Sequence, residues 1–235
     1  MQPIIYLADP EILSIPIVEC YEPLIDIKDY NEIFYGPPPE CPLTAACYTK
    51  MRKSVYAKLC AAQKMLPQGL KFKLYEGYRS LEVQQILFDQ EFSKISKAFP
   101  QWSYAQRFHE ATRLASPVKN LDGSTNIPPH NTGGAVDIEI MTNTGELIEM
   151  GMAAKDWSNV NPELCMTHNK TISMEAQKNR QLLLTVLEQQ GFINYPNEWW
   201  HFSYGDRYWA YYQLEKRAIY SSVEELHNIS TSREN

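Results

Sequence analysis

Along the chain the apolar positions change period several times, and each change predicts an element. Residues 1–40 are rich in short apolar groups and prolines and end in Gly36-Pro37-Pro38-Pro39, which suits an extended arm with short strands that wraps the body. From Leu43 to Leu66 the apolar groups Val55, Leu59, Ala62 and Leu66 fall near helical spacing, and Pro67 and Gly69 stop the run, so a long helix is expected there. Leu70 to Tyr75 alternates apolar and basic residues with period 2, the pattern of a half-buried strand. Gly77 permits a sharp turn, and Ser80 with Glu82 behind it starts a helix over residues 81–98. A third helix is read from Trp102 to Leu114, followed by a polar, proline-bearing loop that ends in Pro128-Pro129-His130.

Ala135 to Met141 alternates again, and Gly145 separates it from Glu146 to Met150, so a two-stranded hairpin is predicted. Residues 151–172 have no period. Ser173 to Gln190 reads as a helix with Ala176, Leu183, Val186 and Leu187 on one side and Gly191 just past its end. A last strand carries Glu198 to Tyr204, and an aromatic helix follows. The sum is one α+β domain over 41–220, a small central antiparallel sheet flanked by helices, with the arm before it and a polar tail at 221–235.

Composition narrows the function. With 28 acidic against 22 basic residues the net charge is −6, which argues against a nucleic-acid partner. No apolar run approaches the roughly 18–20 residues of a membrane span, and the first 27 residues hold no Lys or Arg, so no secretory leader is read. The expectation is a cytoplasmic protein with no membrane partner. Its five cysteines contain no Cys-x-x-Cys pair and suggest buried thiols in a reducing compartment.

Five histidines remain as candidate ligands. In the strand after His130, Val136, Ile138 and Ile140 share the core face, which puts Asp137 and Glu139 on the other face and exposes a carboxylate. Gly133-Gly134 can bend the chain so that His130 sits beside Asp137, giving two zinc-type ligands. His201 in Glu198-Trp199-Trp200-His201-Phe202 can be the third, with Glu198 near enough to act as a base. On an ideal strand residues 198 and 201 point to opposite sides, so this requires a bend near Trp199. Each cluster taken alone also fits ordinary packing and solvent contact.

The strings Glu76-Gly77-Tyr78-Arg79, His130 to Asp137 (His-x3-Gly-x-Ala-x-Asp) and Glu198-Trp199-Trp200-His201-Phe202, in that order, resemble the zinc D-alanyl-D-alanine dipeptidase family. This is the branch of the D-Ala-D-Ala metallopeptidase superfamily that includes the vancomycin-resistance dipeptidase. The resemblance runs from about residue 30 to 205 and includes Gly145-Glu146-Leu147, Met150-Gly151, Gly191-Phe192 and Tyr195. It implies a small α+β fold shared with D,D-peptidases and hedgehog signalling domains, with one Zn2+ per chain in a cleft. By position it assigns the metal ligands to His130, Asp137 and His201, the base to Glu198 and the transition-state arginine to Arg79.

It further implies hydrolysis of a small dipeptide, D-alanyl-D-alanine, with Glu76, Asp156 and Tyr78 as candidate substrate contacts. The alternatives are a D,D-carboxypeptidase or endopeptidase on peptidoglycan stem peptides, or a non-catalytic zinc-binding module. The chain departs from the family pattern at Glu76, where Asp is usual, at Ser80, where Pro is common, and at Pro128, where the resistance enzyme has Ser. The run Met150 to Asp156 is one residue longer than the family's Met-Gly-Thr-x-Phe-Asp. His109, His168 and His227 lie in none of the matching motifs and are not expected to bind metal.

Overall fold

The computed structural model describes residues 4–39 and 42–224. The arm begins with a short helix α1 (Pro10–Leu13), then β1 (Leu24–Asp26) and β2 (Phe34–Tyr35). β3 (Lys50–Arg52) leads directly into α2 (Lys53–Gln63), and β4 (Leu70–Glu76) into α3 (Leu81–Ala98), whose cap is Ser80 accepting from the Val83 N–H. α4 (Tyr104–Ala111) starts in a reciprocal capping box between Ser103 and Gln106. β5 (Val136–Thr142), α5 (Met174–Glu188), β6 (Ile193–Asn194), β7 (His201–Ser203) and α6 (Arg207–Tyr212) complete the domain.

The strands form a five-stranded sheet of order β2-β4-β5-β7-β6 and a separate β1-β3 pair. All pairings are antiparallel except β2 on β4, so the sheet is mixed at one edge. One face carries Phe72, Leu74, Val136, Ile138, Ile140 and Phe202 into a core shared with Val55 and Leu59 of α2 and Leu183 and Leu187 of α5. A smaller aromatic cluster joins α3 to α4 through Phe88 and Phe108.

Several expectations change, among them the last strand, which is confined to His201–Ser203 because Glu198 to Trp200 form a turn. The helix expected over 43–66 begins only at Lys53, because residues 50–52 are drawn into the pairing with β1, Leu24 opposite Arg52. The Lys50 carbonyl also accepts the Tyr78 N–H at 2.7 Å, a bond that a helix there would forbid. The hairpin's second strand shrinks to the single bridge Met141–Leu147, with the turn closed by Thr142 N–H to Glu146 O at 2.8 Å. Finally, the face of β5 opposite the core is covered as well, so Asp137 and Glu139 are buried at 3% exposure each. Period alone reports which face is apolar, not whether the other face meets water. Of the expected tail, Ser222 and Val223 are buried against the body, and residues 225–235 lie outside the described residues.

Candidate metal centre

The sheet register assembles the site. Asp137 of β5 lies directly opposite His201 of β7 and, past a bulge after Leu74, opposite Glu76 of β4. Cross-strand partners project from the same face, so three neighbouring strands present His201, Asp137 and Glu76 side by side. His130 arrives from a different direction, on a short 3-10 turn (Pro129–Thr132) stopped by Gly133 at φ +70°. That left-handed backbone is open to glycine at little cost and turns the chain into β5.

The donor atoms form a tight triangle. His130 Nε2 is 3.1 Å from His201 Nδ1 and 3.3 Å from Asp137 Oδ1, and His201 Nδ1 is 3.1 Å from the same oxygen. His130 Nδ1 donates to the Gly77 carbonyl at 2.7 Å; a carbonyl only accepts, so in the neutral ring Nε2 carries a bare lone pair. His201 turns Nε2 toward Ser203 Oγ at 3.5 Å, leaving Nδ1 facing the triangle. Burial by itself pushes the Asp137 carboxyl up, but His130 and His201 outweigh it and hold the group well below the usual carboxylate range.

This donor set fits a metal ion. Two imidazole nitrogens and a carboxylate oxygen converge in a buried place, where all three would face a cation placed between them. Zinc bonds of about 2.0–2.1 Å in a tetrahedron put neighbouring ligand atoms about 3.3–3.4 Å apart, close to the observed edges. Among the described residues this is the group of His, Cys, Asp and Glu whose atoms could hold an ion. Two histidines and one carboxylate leave a fourth position open, as in a catalytic zinc site.

Glu198 and His201 are the ends of a turn, with the His201 N–H donating to the Glu198 carbonyl at 3.2 Å. The bend near Trp199 is therefore present, and it brings Glu198 Oε2 to 3.7 Å from His201 Nδ1. Asn194 braces the turn by donating to the carbonyls of both Glu198 (3.1 Å) and His201 (3.0 Å). The Cys165 carbonyl accepts from the Trp199 N–H, while burial pushes the Cys165 thiol up to about 12 and leaves it unreactive.

Arg79 enters from the turn after β4. One terminal nitrogen pairs with Glu76, and the other donates to Gln84 Oε1 at 3.0 Å. The first also lies 4.0 Å from Asp137 Oδ2, so the guanidinium faces the donor triangle. Gln84 in turn donates to the Ser116 carbonyl at 2.7 Å. Neither Gln84 nor Asn194 stands out in the sequence, because both act through contacts that only the fold creates. Gln84 does lie five residues after Arg79, and so on the first turn of the helix that follows it.

The cleft above the triangle is lined by Arg79, Gln84, Glu198 and the donors, with apolar walls that include Leu7, Leu87, Leu114, Trp157 and Trp200. Leu7 belongs to the arm, which thus forms part of the cleft. Glu76 acts on Arg79 from behind. Tyr78 points away, its hydroxyl donating to Glu224 at 3.2 Å, and Asp156 lies in the 3-10 turn Ala154–Asn159 without lining the cleft. His109 stacks on Tyr6 with ring centroids 5.0 Å apart, His168 lines a separate groove beside Pro196, and His227 lies outside the described residues.

Residues 44–219 match the family model described as D-ala-D-ala dipeptidase. A D-alanyl-D-alanine dipeptidase of Synechocystis sp. is 27% identical over 241 residues, covering 90% of this chain and 96% of that one. A D-alanyl-D-alanine dipeptidase of Escherichia coli is 25% identical over 134 residues, covering 57% of this chain and 55% of the other. The solved structure of the LdcB LD-carboxypeptidase superposes with a TM-score of 0.42 at 18% identity, covering 83% of this chain and 76% of that one.

Proposed function

The chain belongs to the D-ala-D-ala dipeptidase family, and from that premise we propose that it is a zinc peptidase that cleaves D-alanyl-D-alanine to two D-alanines. The observation that carries the reading is the buried triangle of His130, Asp137 and His201, flanked by Glu198 on one side and Arg79 on the other. His130, Asp137 and His201 would hold the zinc, which would supply a Lewis acid to polarise the substrate carbonyl and to make a water nucleophilic near neutral pH.

Glu198 is the proton carrier. Its carboxylate takes the proton of the attacking water and returns it to the departing amine, so one group serves as base and then as acid. Arg79 holds the negative charge that develops on the substrate carbonyl oxygen. Glu76 and Gln84 anchor its two terminal nitrogens, so the fork is already oriented before substrate arrives and little reorganisation is needed at the moment of reaction. Leu87, Leu114, Trp157 and Trp200 give the cleft apolar walls, and Leu7 adds to them from the arm. The dipeptidase description of the matching family model favours a dipeptide over a longer stem peptide. The four described cysteines are free thiols, which supports a cytoplasmic setting.

Purified protein is incubated with D-Ala-D-Ala and free D-alanine is followed, with and without a zinc chelator. Zinc-dependent release of two D-alanines per dipeptide is expected, and Glu198→Gln is expected to retain zinc while losing about 10²–10⁴ in turnover. No release with zinc present between pH 6 and 9 refutes the substrate, and full activity in Glu198→Gln refutes the assigned base.

A further inference from the structure

Arg52 is fully buried, and each of its five N–H donors has an acceptor. Nη1 donates to Glu19 Oε1 (3.1 Å) and the Glu22 carbonyl, and Nη2 to Glu19 Oε2 (3.0 Å) and the Ser221 carbonyl (3.3 Å). Nε donates to the carbonyl of Thr132 at 2.8 Å, and the Arg52 backbone N–H donates to the Gly133 carbonyl at 2.9 Å. The side chain of the arginine therefore touches the arm, the C-terminal segment and the turn that carries His130.

The orientation is forced. Glu19 meets the guanidinium end-on with both oxygens, which fixes its plane, and the Tyr220 ring lies 4.7 Å beneath it. With the plane fixed, the Nε–H on the far side is directed at Thr132. The turn behaves as a unit, since Thr132 Oγ1 donates to the Pro129 carbonyl at 2.6 Å and accepts from the Gly134 N–H at 2.9 Å. Holding the Thr132 carbonyl thus holds His130, two residues back.

We infer that Arg52 and Glu19 are positioning residues for the metal ligand His130, so that metal affinity depends on the arm. The inference rests on reading His130, Asp137 and His201 as a metal site. Lysine at 52 has no planar fork and cannot reproduce this geometry. A group that orients a ligand from behind typically accounts for about 10–100-fold in metal affinity.

The test titrates zinc into metal-free wild type, Glu19→Gln and Arg52→Gln against a competing chromophoric chelator, and melts each metal-free protein in parallel. Arg52→Gln is expected to bind zinc about 10–100-fold more weakly, with Glu19→Gln shifted in the same direction. A purely structural pin lowers the melting temperature of the metal-free protein and leaves the zinc affinity of the folded protein at the wild-type value; that result overturns the inference. If Arg52→Gln does not fold, Glu19→Gln decides, because it leaves Arg52 its three carbonyl acceptors. Failure of wild type itself to take up zinc refutes the metal-site reading, an outcome distinct from wild type and variants binding equally.

Discussion

Replacing Gly77 with alanine places a methyl group where the chain has no space for one. A Cβ at that position would sit 2.4 Å from the Lys50 carbonyl oxygen and 3.1 Å from that of Tyr48, so the first contact is short of ordinary van der Waals distance by about 1 Å. Neither oxygen is free to retreat. The Lys50 carbonyl accepts the Tyr78 N–H at 2.7 Å, and the Tyr48 carbonyl accepts the Gly77 N–H at 2.6 Å. The backbone of residues 76–79 must therefore move away from β3, and it carries two parts of the site with it. Gly77 supplies the carbonyl that fixes the His130 tautomer, and Arg79 follows two residues later.

Overpacking of this kind costs about 1–3 kcal/mol. For a chain of this size that lowers the melting temperature by about 2–12 °C. The effect on chemistry is larger, since a displacement of about 1 Å in a positioned group can cost about 10²-fold in rate. Initial rates of D-alanine release at saturating zinc, with thermal melting in parallel, measure both. A Gly77→Ala protein with wild-type turnover and an unchanged melting temperature refutes the claim that close approach to β3 sets the Arg79 turn.

Arg79→Lys keeps the charge but not the fork, so turnover is expected to fall by about 10²–10³ while zinc content by metal analysis stays at one per chain; undiminished turnover refutes the role. Leu7→Ala widens the arm side of the cleft, and the preference for D-Ala-D-Ala over a D,D-dipeptide with a larger side chain is expected to fall by about tenfold in kcat/KM; an unchanged ratio removes Leu7 from the substrate wall. Glu91 tests the helical layer by pH. Burial raises its carboxyl pKa against the pull of Lys94 at 3.4 Å, so the native state favours the protonated form. The stability it contributes is full below the unfolded value of about 4.3 and is lost as pH rises through the folded value. Glu91→Gln, permanently neutral, is therefore expected to melt above wild type at pH 7, with the gap closing below about pH 4; an equal gap at all pH values refutes the assignment.

Much of the site was legible residue by residue. The parity of Val136, Ile138 and Ile140 put Asp137 on the face away from the core, and the glycines after His130 marked the bend that returns it to the strand. The need for a turn at Trp199 followed from the three-residue spacing of Glu198 and His201, and the turn is there. Other features left no local trace. Residues 50–52 have no strand signature strong enough to compete with the helical spacing behind them, yet as β3 they pair with the arm and support the turns of both Arg79 and His130. Tyr78 and Asp156 look eligible for the cleft in sequence, but the fold turns one toward Glu224 and leaves the other outside the lining.

By itself, the sequence determined the elements whose signals are local: capped helices at Ser80 and Ser173, the alternation of β4 and β5, and the kinds of side chain available for metal and proton chemistry. The tertiary structure decided the rest. The register that sets Glu76, Asp137 and His201 in a row joins strands distant in the chain, and no local pattern specifies which residue faces which. The anchoring of Arg79 by Gln84 and of the His130 turn by Arg52 and Glu19 likewise arises only once the arm, sheet and helices have packed. Side-chain period is a property of neighbours along the chain, whereas a metal site is a property of neighbours in space.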